Sequence, residues 1–397
     1  MTETLSSPLP RTCPCHPAPA YRPPLEHQAL QRIRLAAGQE AWMVIGHAEA
    51  RALLADPRVS ADRTRPGYPL LPLSGDDHSH TDRKPTLLEM DDPEHGRVRR
   101  TLIPDFTVAR LKEIRADVEQ LVLGTLDEML AAGPPADLVS SFAQPVPSLV
   151  IGRLLGVPRE DRDFFQRATW TMARHRGEQQ GEQARASINA YLSELTVDPP
   201  AGLLKRLKEE QVATGAMELE DLVSHALFVL SAGYQVTASM ISLSVITLLE
   251  HPEQLALLRS GPDAIAGVID ELLRLTVFDI GPRRIATADI EIAGTVIKAG
   301  DGIVIGSSMA NRDPSVFGDP DRFDVSRDLN HHLVFGFGVH QCLGQSLARM
   351  VLQLALSALF ERIPSLRLAG PVEELYLRPT ASIPVTLRSV DRLPVEW

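Results

Sequence analysis

The stretch that decides the fold is Phe335-Gly336-Phe337-Gly338-Val339-His340-Gln341-Cys342-Leu343-Gly344. It stands directly before residues 343–363, whose amphipathic spacing predicts a helix. Glycine tolerates positive φ and allows the backbone to approach a flat ligand closely. A cysteine at a helix N-terminus meets free N–H groups and the positive end of the helix dipole, and both favour the thiolate. Cys342 is therefore a candidate nucleophile or metal ligand.

The composition is that of a globular protein. The 397 residues are 44% hydrophobic and 23% charged, with a net charge of −11. These values exclude a disordered chain, and the acidic balance argues against nucleic-acid binding. The cysteines Cys13, Cys15 and Cys342 are too few for a disulfide scaffold. No basic start followed by an apolar run marks a signal peptide. Polar residues interrupt the apolar stretch 222–249. We therefore expect a cytoplasmic protein.

The pattern along the chain predicts a mainly α protein with small β-sheets. Residues 60–86 are rich in proline and glycine and predict a long irregular loop. The segment 220–250 predicts one helix of about 46 Å, long enough to cross the molecule. Further helices are predicted at 49–55, 92–130, 144–155, 159–195, 252–259 and 262–275, and strands at 41–45, within 284–305 and around Val385 and Leu387.

The run F-G-x-G-x-H-x-C-x-G resembles the heme-binding loop of the cytochrome P450 family. The resemblance extends from about Cys13 to the C-terminus. It implies a single cytochrome P450 domain at 26–397, after a Pro-rich extension at 1–25. Heme b would lie between the long central helix and the cysteine loop, with the Cys342 thiolate as the proximal ligand of its iron. Phe335, Gly336 and Gly344 would complete the loop around it, and His340 would contact a heme propionate.

Three more motifs follow the order found in this family. His95 and Arg99 match H-x-x-x-R, whose two side chains hold heme propionates in the family. Arg284 matches the arginine of R-x-A, a further propionate ligand, although the adjacent Arg283 competes for that role. Glu271 and Arg274 match E-x-x-R, the structural ion pair that supports folding and heme retention.

The central helix departs from the family pattern A-G-x-[D/E]-T. Ala232 and Gly233 fit, but Gln235 stands at the acid position and Val236 at the alcohol position. The acid and alcohol normally relay protons during oxygen activation. Gln cannot release a proton near neutral pH, and Val has no hydrogen-bonding group. Thr237 is one residue late, and one residue turns a helix by about 100°.

This departure favours altered chemistry. Our main hypothesis is a heme-thiolate oxidase that couples an aromatic or cyclic-dipeptide substrate through a new C–C, C–N or C–O bond. One alternative is a conventional ferredoxin-dependent hydroxylase or epoxidase of a macrolide- or terpene-like substrate, in which ordered water replaces the missing relay. The use of peroxide as oxidant and a non-catalytic heme sensor or binding protein are further alternatives.

The resemblance also implies a substrate pocket and redox partners. No flavin or ferredoxin module is fused to the chain, so a separate ferredoxin and its reductase would deliver electrons from NAD(P)H to a monomeric enzyme. A basic cluster would dock the ferredoxin by charge complementarity. The cluster comprises Arg97, Arg99, Arg100, Arg110, Lys112 and Arg115. The expected pocket residues are Leu87, Leu88, Trp170, Phe228, Tyr234, Val277, Phe278, Ile280 and Ser382.

Overall fold

A computed structural model describes residues 3–5, 29–35, 38–70, 84–175, 178–258, 262–276, 281–327, 331–375 and 389–397. Helices dominate these ranges. They are α1 (His47–Ala55), α2 (Glu94–Leu102), α3 (Val108–Ala132), α4 (Pro145–Leu155), α5 (Arg162–Arg174), α6 (Gln179–Leu195), α7 (Gly202–Leu207), α8 (Leu219–Glu250), α9 (Pro252–Leu258), α10 (Pro262–Thr276), α11 (Ser307–Ala310) and α12 (Gln345–Arg362).

Short strands form three sheets among the described residues. They are β1 (Glu3–Leu5), β2 (Leu30–Leu35), β3 (Glu40–Val44), β4 (Val59–Ser60), β5 (Ala136–Asp137), β6 (Arg283–Ala286), β7 (Ile290–Ile292), β8 (Thr295–Ile297), β9 (Gly302–Ile305), β10 (Arg367–Leu368) and β11 (Pro394–Glu396). The largest sheet has the order β1-β2-β3-β9-β6-β4, and smaller sheets have the orders β10-β11-β5 and β7-β8. The mainly α fold with small sheets is confirmed.

Some predicted helices are divided. The stretch 92–130 breaks between Leu102 and Val108, where Pro104 cannot continue an α-helix. The stretch 159–195 is likewise two helices, the first ending at Arg174. Of the predicted N-terminal extension, residues 3–5 pair in parallel with β2. The strand expected around residues 385–387 lies outside the described residues.

Helix α8 forms the centre of the larger hydrophobic core. It packs against α4, α10 and α12, and its residues 237–248 are all buried. By length and composition α8 could span a membrane, but 56% of its most apolar window is buried inside the protein. This burial is what the polar interruptions of the segment predict for a core helix.

Candidate active site

The cysteine loop is shaped by its glycines. Gly336 and Gly338 have φ values of 67° and 72°, which L side chains rarely adopt. A Cβ at Gly338 would lie 2.3 Å from the Leu54 carbonyl oxygen, so this glycine also allows the loop to pack on the end of α1. The Cys342 N–H donates to the Phe335 carbonyl at 2.8 Å. The loop thereby closes just before α12, with Cys342 at its end.

The Cys342 side chain faces open space within the protein. Burial raises the pKa of its thiol, while the Gly344 N–H and the charges of Arg99 and Arg349 act in the opposite direction. Yet the residue is accessible to solvent. A thiol that is both accessible and enclosed by protein faces a cavity, where it can bind a ligand as the thiolate.

Four basic side chains from distant parts of the chain meet beside this thiol. The rings of His95 and His340 stack with their centroids 4.1 Å apart. The positive charges of Arg284 and Arg99 act on His340, and Arg99 donates to the Gln341 carbonyl at 2.7 Å. Burial, the largest effect, lowers the pKa of His340 to about 3, so this imidazole is neutral.

Much of the hydrogen-bonding capacity of this basic cluster is unused, although Arg99 and Arg284 each donate to one backbone carbonyl. His95 is 1% exposed, and its Nδ1 lies 3.5 Å from an Asp92 carboxylate oxygen, whereas His95 Nε2 and His340 Nδ1 have no hydrogen-bond partner. Within the described residues, neither Arg99 nor Arg284 forms an ion pair with a carboxylate. Unpaired buried donors are costly, and here they converge with two guanidinium charges. The cluster therefore suits a ligand that carries carboxylates.

The structure separates the two candidate arginines on β6. Arg284 is 7% exposed and its charge acts on His95 and His340. Arg283 instead extends over the ring of Tyr68 at 5.9 Å and donates to the Pro69 carbonyl. Adjacent strand residues face opposite sides of a sheet, which explains the difference. Arg284 is thus the arginine that joins the basic cluster.

A buried ion pair on α10 stabilises the segment that leads into the cysteine loop. Arg274 donates to both carboxylate oxygens of Glu271 at 2.8 and 2.7 Å, and both side chains are fully buried. Arg274 also donates to the Asn311 carbonyl, and the Asn311 side chain accepts the Leu333 N–H at 2.6 Å. This chain of bonds fixes the residues that enter the cysteine loop.

Sequence reasoning missed a further cation in this network. Arg327 Nε donates to Glu271 Oε1 at 3.0 Å, and this oxygen also accepts from Arg274 Nη2. The two residues are 56 positions apart, so no local spacing signals the contact. The Glu271 carboxylate is therefore shared by two arginines.

The middle of α8 has one open and one packed face. Ser231 and Ala232 are exposed although they lie inside a mostly buried helix, which requires a space along that face. Gly233 packs on α4, since a Cβ there would lie 2.7 Å from Ile151 Cδ1. Thr237 is one turn beyond Gly233 and is buried. The backbone position of Thr237 is therefore on the side of α8 that packs on α4.

Gln235 and Val236 are half-buried near the open face. Ser231 lies four residues before Gln235 and hence on the same side of the helix. Ser231 has no individual role in the sequence prediction, although its spacing from Gln235 places both on one face of the helix. The open face thus carries a hydroxyl and an amide but no carboxyl group.

The expected pocket residues do not form one group. Leu88 is 53% exposed whereas the adjacent Leu87 is 4% exposed, so only Leu88 is available to a ligand. Phe228 is half-buried on the same side of α8 as Ala232. Trp170 and Tyr234 instead line a separate cavity with residues of α4 and α5. Val277, Phe278, Ile280 and Ser382 lie outside the described residues.

The expected basic docking cluster is also divided. Arg99 turns inward to the Gln341 carbonyl. Arg110 pairs with Glu113 at 2.6 Å. Arg97, Arg100 and Lys112 are exposed. A positively charged surface therefore remains on α2 and the start of α3. It contains fewer cations than the sequence pattern predicts.

Comparisons with known proteins identify the family of this chain. A family model described as Cytochrome P450 matches residues 263–363. The chain is 49% identical to "Cytochrome P450 105A3" of Streptomyces carbophilus, covering 100% of this chain and 96% of that protein. It is 46% identical to "Vitamin D3 dihydroxylase" of Streptomyces griseolus, covering 100% of this chain and 98% of that protein.

The fold matches as well. The crystal structure of cytochrome P450 MoxA from Nonomuraea recticatena superposes with a TM-score of 0.93 at 43% identity, covering 99% of this chain and 98% of that one. Bacterial members of this family bind heme through a cysteine thiolate and receive electrons from separate redox partners. With this similarity over its full length, the chain belongs to the cytochrome P450 family of heme-thiolate monooxygenases.

Proposed function

We propose that this cytochrome P450 hydroxylates an apolar secondary metabolite. The similarity to a protein named for dihydroxylation supports this alternative over oxidative coupling, which was our main hypothesis from Gln235 and Val236. The half-buried state of both side chains, beside an open helix face, is compatible with ordered water in that region. The departure in α8 then changes how protons arrive rather than which reaction takes place.

The observation that carries the proposal is the basic cluster beside an accessible cysteine. Heme has two propionate carboxylates, and the unpartnered His95 Nε2 and His340 Nδ1 atoms with the Arg99 and Arg284 guanidinium groups would bind them. Cys342 would be the thiolate ligand of the iron. When bound, heme would supply the activation of dioxygen, from which one oxygen atom is transferred to the substrate. The residues of this chain supply binding, orientation and control of water.

The open face of α8 would orient the substrate. Ala232 and Phe228 offer apolar contacts, and the exposed Leu88 can cover the substrate from the loop before α2. Ser231 Oγ can both donate and accept a hydrogen bond, and Gln235 can donate through Nε2 and accept through Oε1. These two groups can hold an ordered water or a substrate hydroxyl that delivers protons. Neither releases a proton of its own near neutral pH.

A separate ferredoxin would deliver the electrons in the cytoplasm to a monomeric enzyme. The exposed cations Arg97, Arg100 and Lys112 form a positive surface in a protein of net charge −11, which suits an acidic partner. Replacing Arg100 and Lys112 by Glu should slow reduction strongly at low salt and little at high salt. Replacing Arg185 by Glu on α6 is the matched control. Equal slowing by both variants, or no effect of salt, would contradict the docking surface.

The reaction is tested with purified protein and its electron partners. A carbon monoxide difference spectrum of the reduced protein reports thiolate ligation, and absorbance shifts across a panel of macrolides, terpenes and aromatic compounds identify binders. Each binder is then incubated under ¹⁸O₂, and its products are analysed by mass spectrometry. We expect a product that gains one labelled oxygen atom. A product that loses two hydrogen atoms without gaining oxygen would instead support coupling, and no turnover of any binder would favour a sensor.

A further inference from the structure

A cavity of about 340 Å³ lies between the start of α4, helix α5 and helix α8. Its volume is sufficient for a small organic molecule, at the lower end of the range for ligand pockets. Three separate segments of the chain build it, so its shape depends on the packed fold. The lining residues are Ser140, Gln144, Pro145, Asp163, Gln166, Arg167, Trp170 and Tyr234.

This cavity is distinct from the space beside Ala232. Tyr234 follows Ala232 by two residues, a rotation of about 200° around α8, so the two side chains leave the helix in nearly opposite directions. Gly233, which lies between them, is packed on Ile151 of α4. No residue of the cysteine loop lines the cavity. The proposed hydroxylation leaves this part of the molecule without a role.

Two polar groups of the cavity can bond to a ligand. Tyr234 is 3% exposed as a residue, and its hydroxyl is not one of the fully buried unpaired polar atoms, so the O–H reaches the open space of the cavity. Burial raises the pKa of Tyr234, so the hydroxyl is protonated and available as a donor. Gln144 Oε1 is buried and has no hydrogen-bond partner. An unpaired acceptor such as Gln144 Oε1 is costly inside a protein, and a ligand that donates to it recovers that cost, while the accessible Tyr234 hydroxyl can donate to the same ligand.

The walls add apolar and aromatic surface. Trp170 offers its indole ring, and Arg174 lies 5.5 Å from the ring centroid. Pro145 contributes an apolar wall that has no N–H donor. Asp163 and Arg167 are one turn apart on α5, yet they form no ion pair with each other in the structure. Apolar walls with a few polar groups are typical of small-molecule sites.

We propose that this Tyr234 cavity is a second ligand site, which binds a neutral ring compound bearing a hydroxyl or primary amide. The Tyr234 hydroxyl donates to the oxygen of the ligand. Gln144 Oε1 accepts from the O–H or N–H of the ligand. The ring packs between Trp170 and Pro145. The site is independent of the substrate that binds on the open face of α8.

The test separates this cavity from the heme side. The heme-loaded protein is first saturated with 4-phenylimidazole, whose imidazole nitrogen ligates heme iron and blocks that side. 2-Naphthol, a neutral ring with one hydroxyl, is then titrated by isothermal calorimetry. We expect saturable binding of one 2-naphthol per chain. The Soret band of the imidazole complex should stay unchanged throughout the titration.

The variants locate the binding. Tyr234→Phe removes only the hydroxyl and should weaken 2-naphthol about tenfold, because one buried hydrogen bond is lost. Gln144→Met should weaken it similarly, and Trp170→Ala more strongly. Tyr191→Phe is the matched control, since the Tyr191 hydroxyl is bonded to Asp161 and does not line the cavity. No binding to the blocked protein, displacement of 4-phenylimidazole, or equal affinity in all variants would overturn the proposal.

Discussion

The cysteine loop and the middle of α8 differ in what fixes their sequence. In the loop, positive φ values at Gly336 and Gly338 and the contact of Gly338 with the Leu54 carbonyl leave few residue types acceptable. In α8 the backbone is a regular helix that nearly every residue can adopt. Gln235 and Val236 can therefore replace an acid and an alcohol without altering the fold. Backbone geometry restricts the residue types that the loop accepts, whereas the chemistry of the reaction restricts those in the middle of α8.

The largest expected effect is at the end of the loop. Cys342→Ser removes the thiolate but keeps a side chain of similar size. We expect the loss of thiolate-type absorption in the reduced carbon monoxide spectrum and the loss of hydroxylation, since the push of the thiolate is gone. Cys13→Ser is the control and should preserve both. An unchanged spectrum of the Cys342→Ser variant would show that Cys342 is not the thiolate ligand.

The second prediction tests whether the loop depends on support from outside it. Arg274→Leu leaves Glu271 without its bidentate partner and releases the Asn311 carbonyl that Arg274 holds. Breaking a buried ion pair from one side costs about 3–5 kcal/mol of the free energy of unfolding. Arg327→Leu is the control and should cost less, because Arg327 is partly exposed. Urea unfolding and heme retention measure both, and equal losses would refute a special role for Arg274.

The third prediction compares the two glycines of the loop. Both alanine variants must adopt positive φ, which costs about 1–2 kcal/mol. Gly338→Ala also forces a Cβ to within 2.3 Å of the Leu54 carbonyl oxygen, whereas the nearest atom at Gly336 is 3.9 Å away. Overpacking adds about 1–3 kcal/mol, so Gly338→Ala should be the less stable protein in thermal unfolding. Equal melting temperatures would mean that the contact with α1 relaxes freely.

Local spacing made much of this molecule predictable. The glycines around Cys342, the E-x-x-R pair and the placement of His95 and Arg99 on one helix all follow from residues close in sequence. The long helix 220–250 was predicted to within one residue of α8. Such features depend on backbone periodicity, which the sequence carries directly.

Contacts between distant segments were not predictable in the same way. Nothing near Arg327 signals its bond to Glu271, and nothing near Asn311 signals its bond to Leu333. Tyr234 was expected in the same pocket as Phe228, although six residues turn a helix by about 600° and so separate the two side chains. The Tyr234 cavity itself required the packing of α4, α5 and α8.

The smallest expected effect is in the middle of α8. Gln235→Glu with Val236→Thr restores the acid and alcohol of the family pattern without changing the helix. Because neither side chain shapes the backbone, the free energy of unfolding and the carbon monoxide spectrum should change little, by about 1 kcal/mol or less for the former. The hydroxylated product should stay the same, while more of the consumed NAD(P)H yields product and less yields hydrogen peroxide.

Val236→Ala changes bulk without adding a hydroxyl and should not improve this yield. A new product from the double variant would mean that α8 selects the reaction, and an unchanged yield would mean that ordered water already delivers the protons.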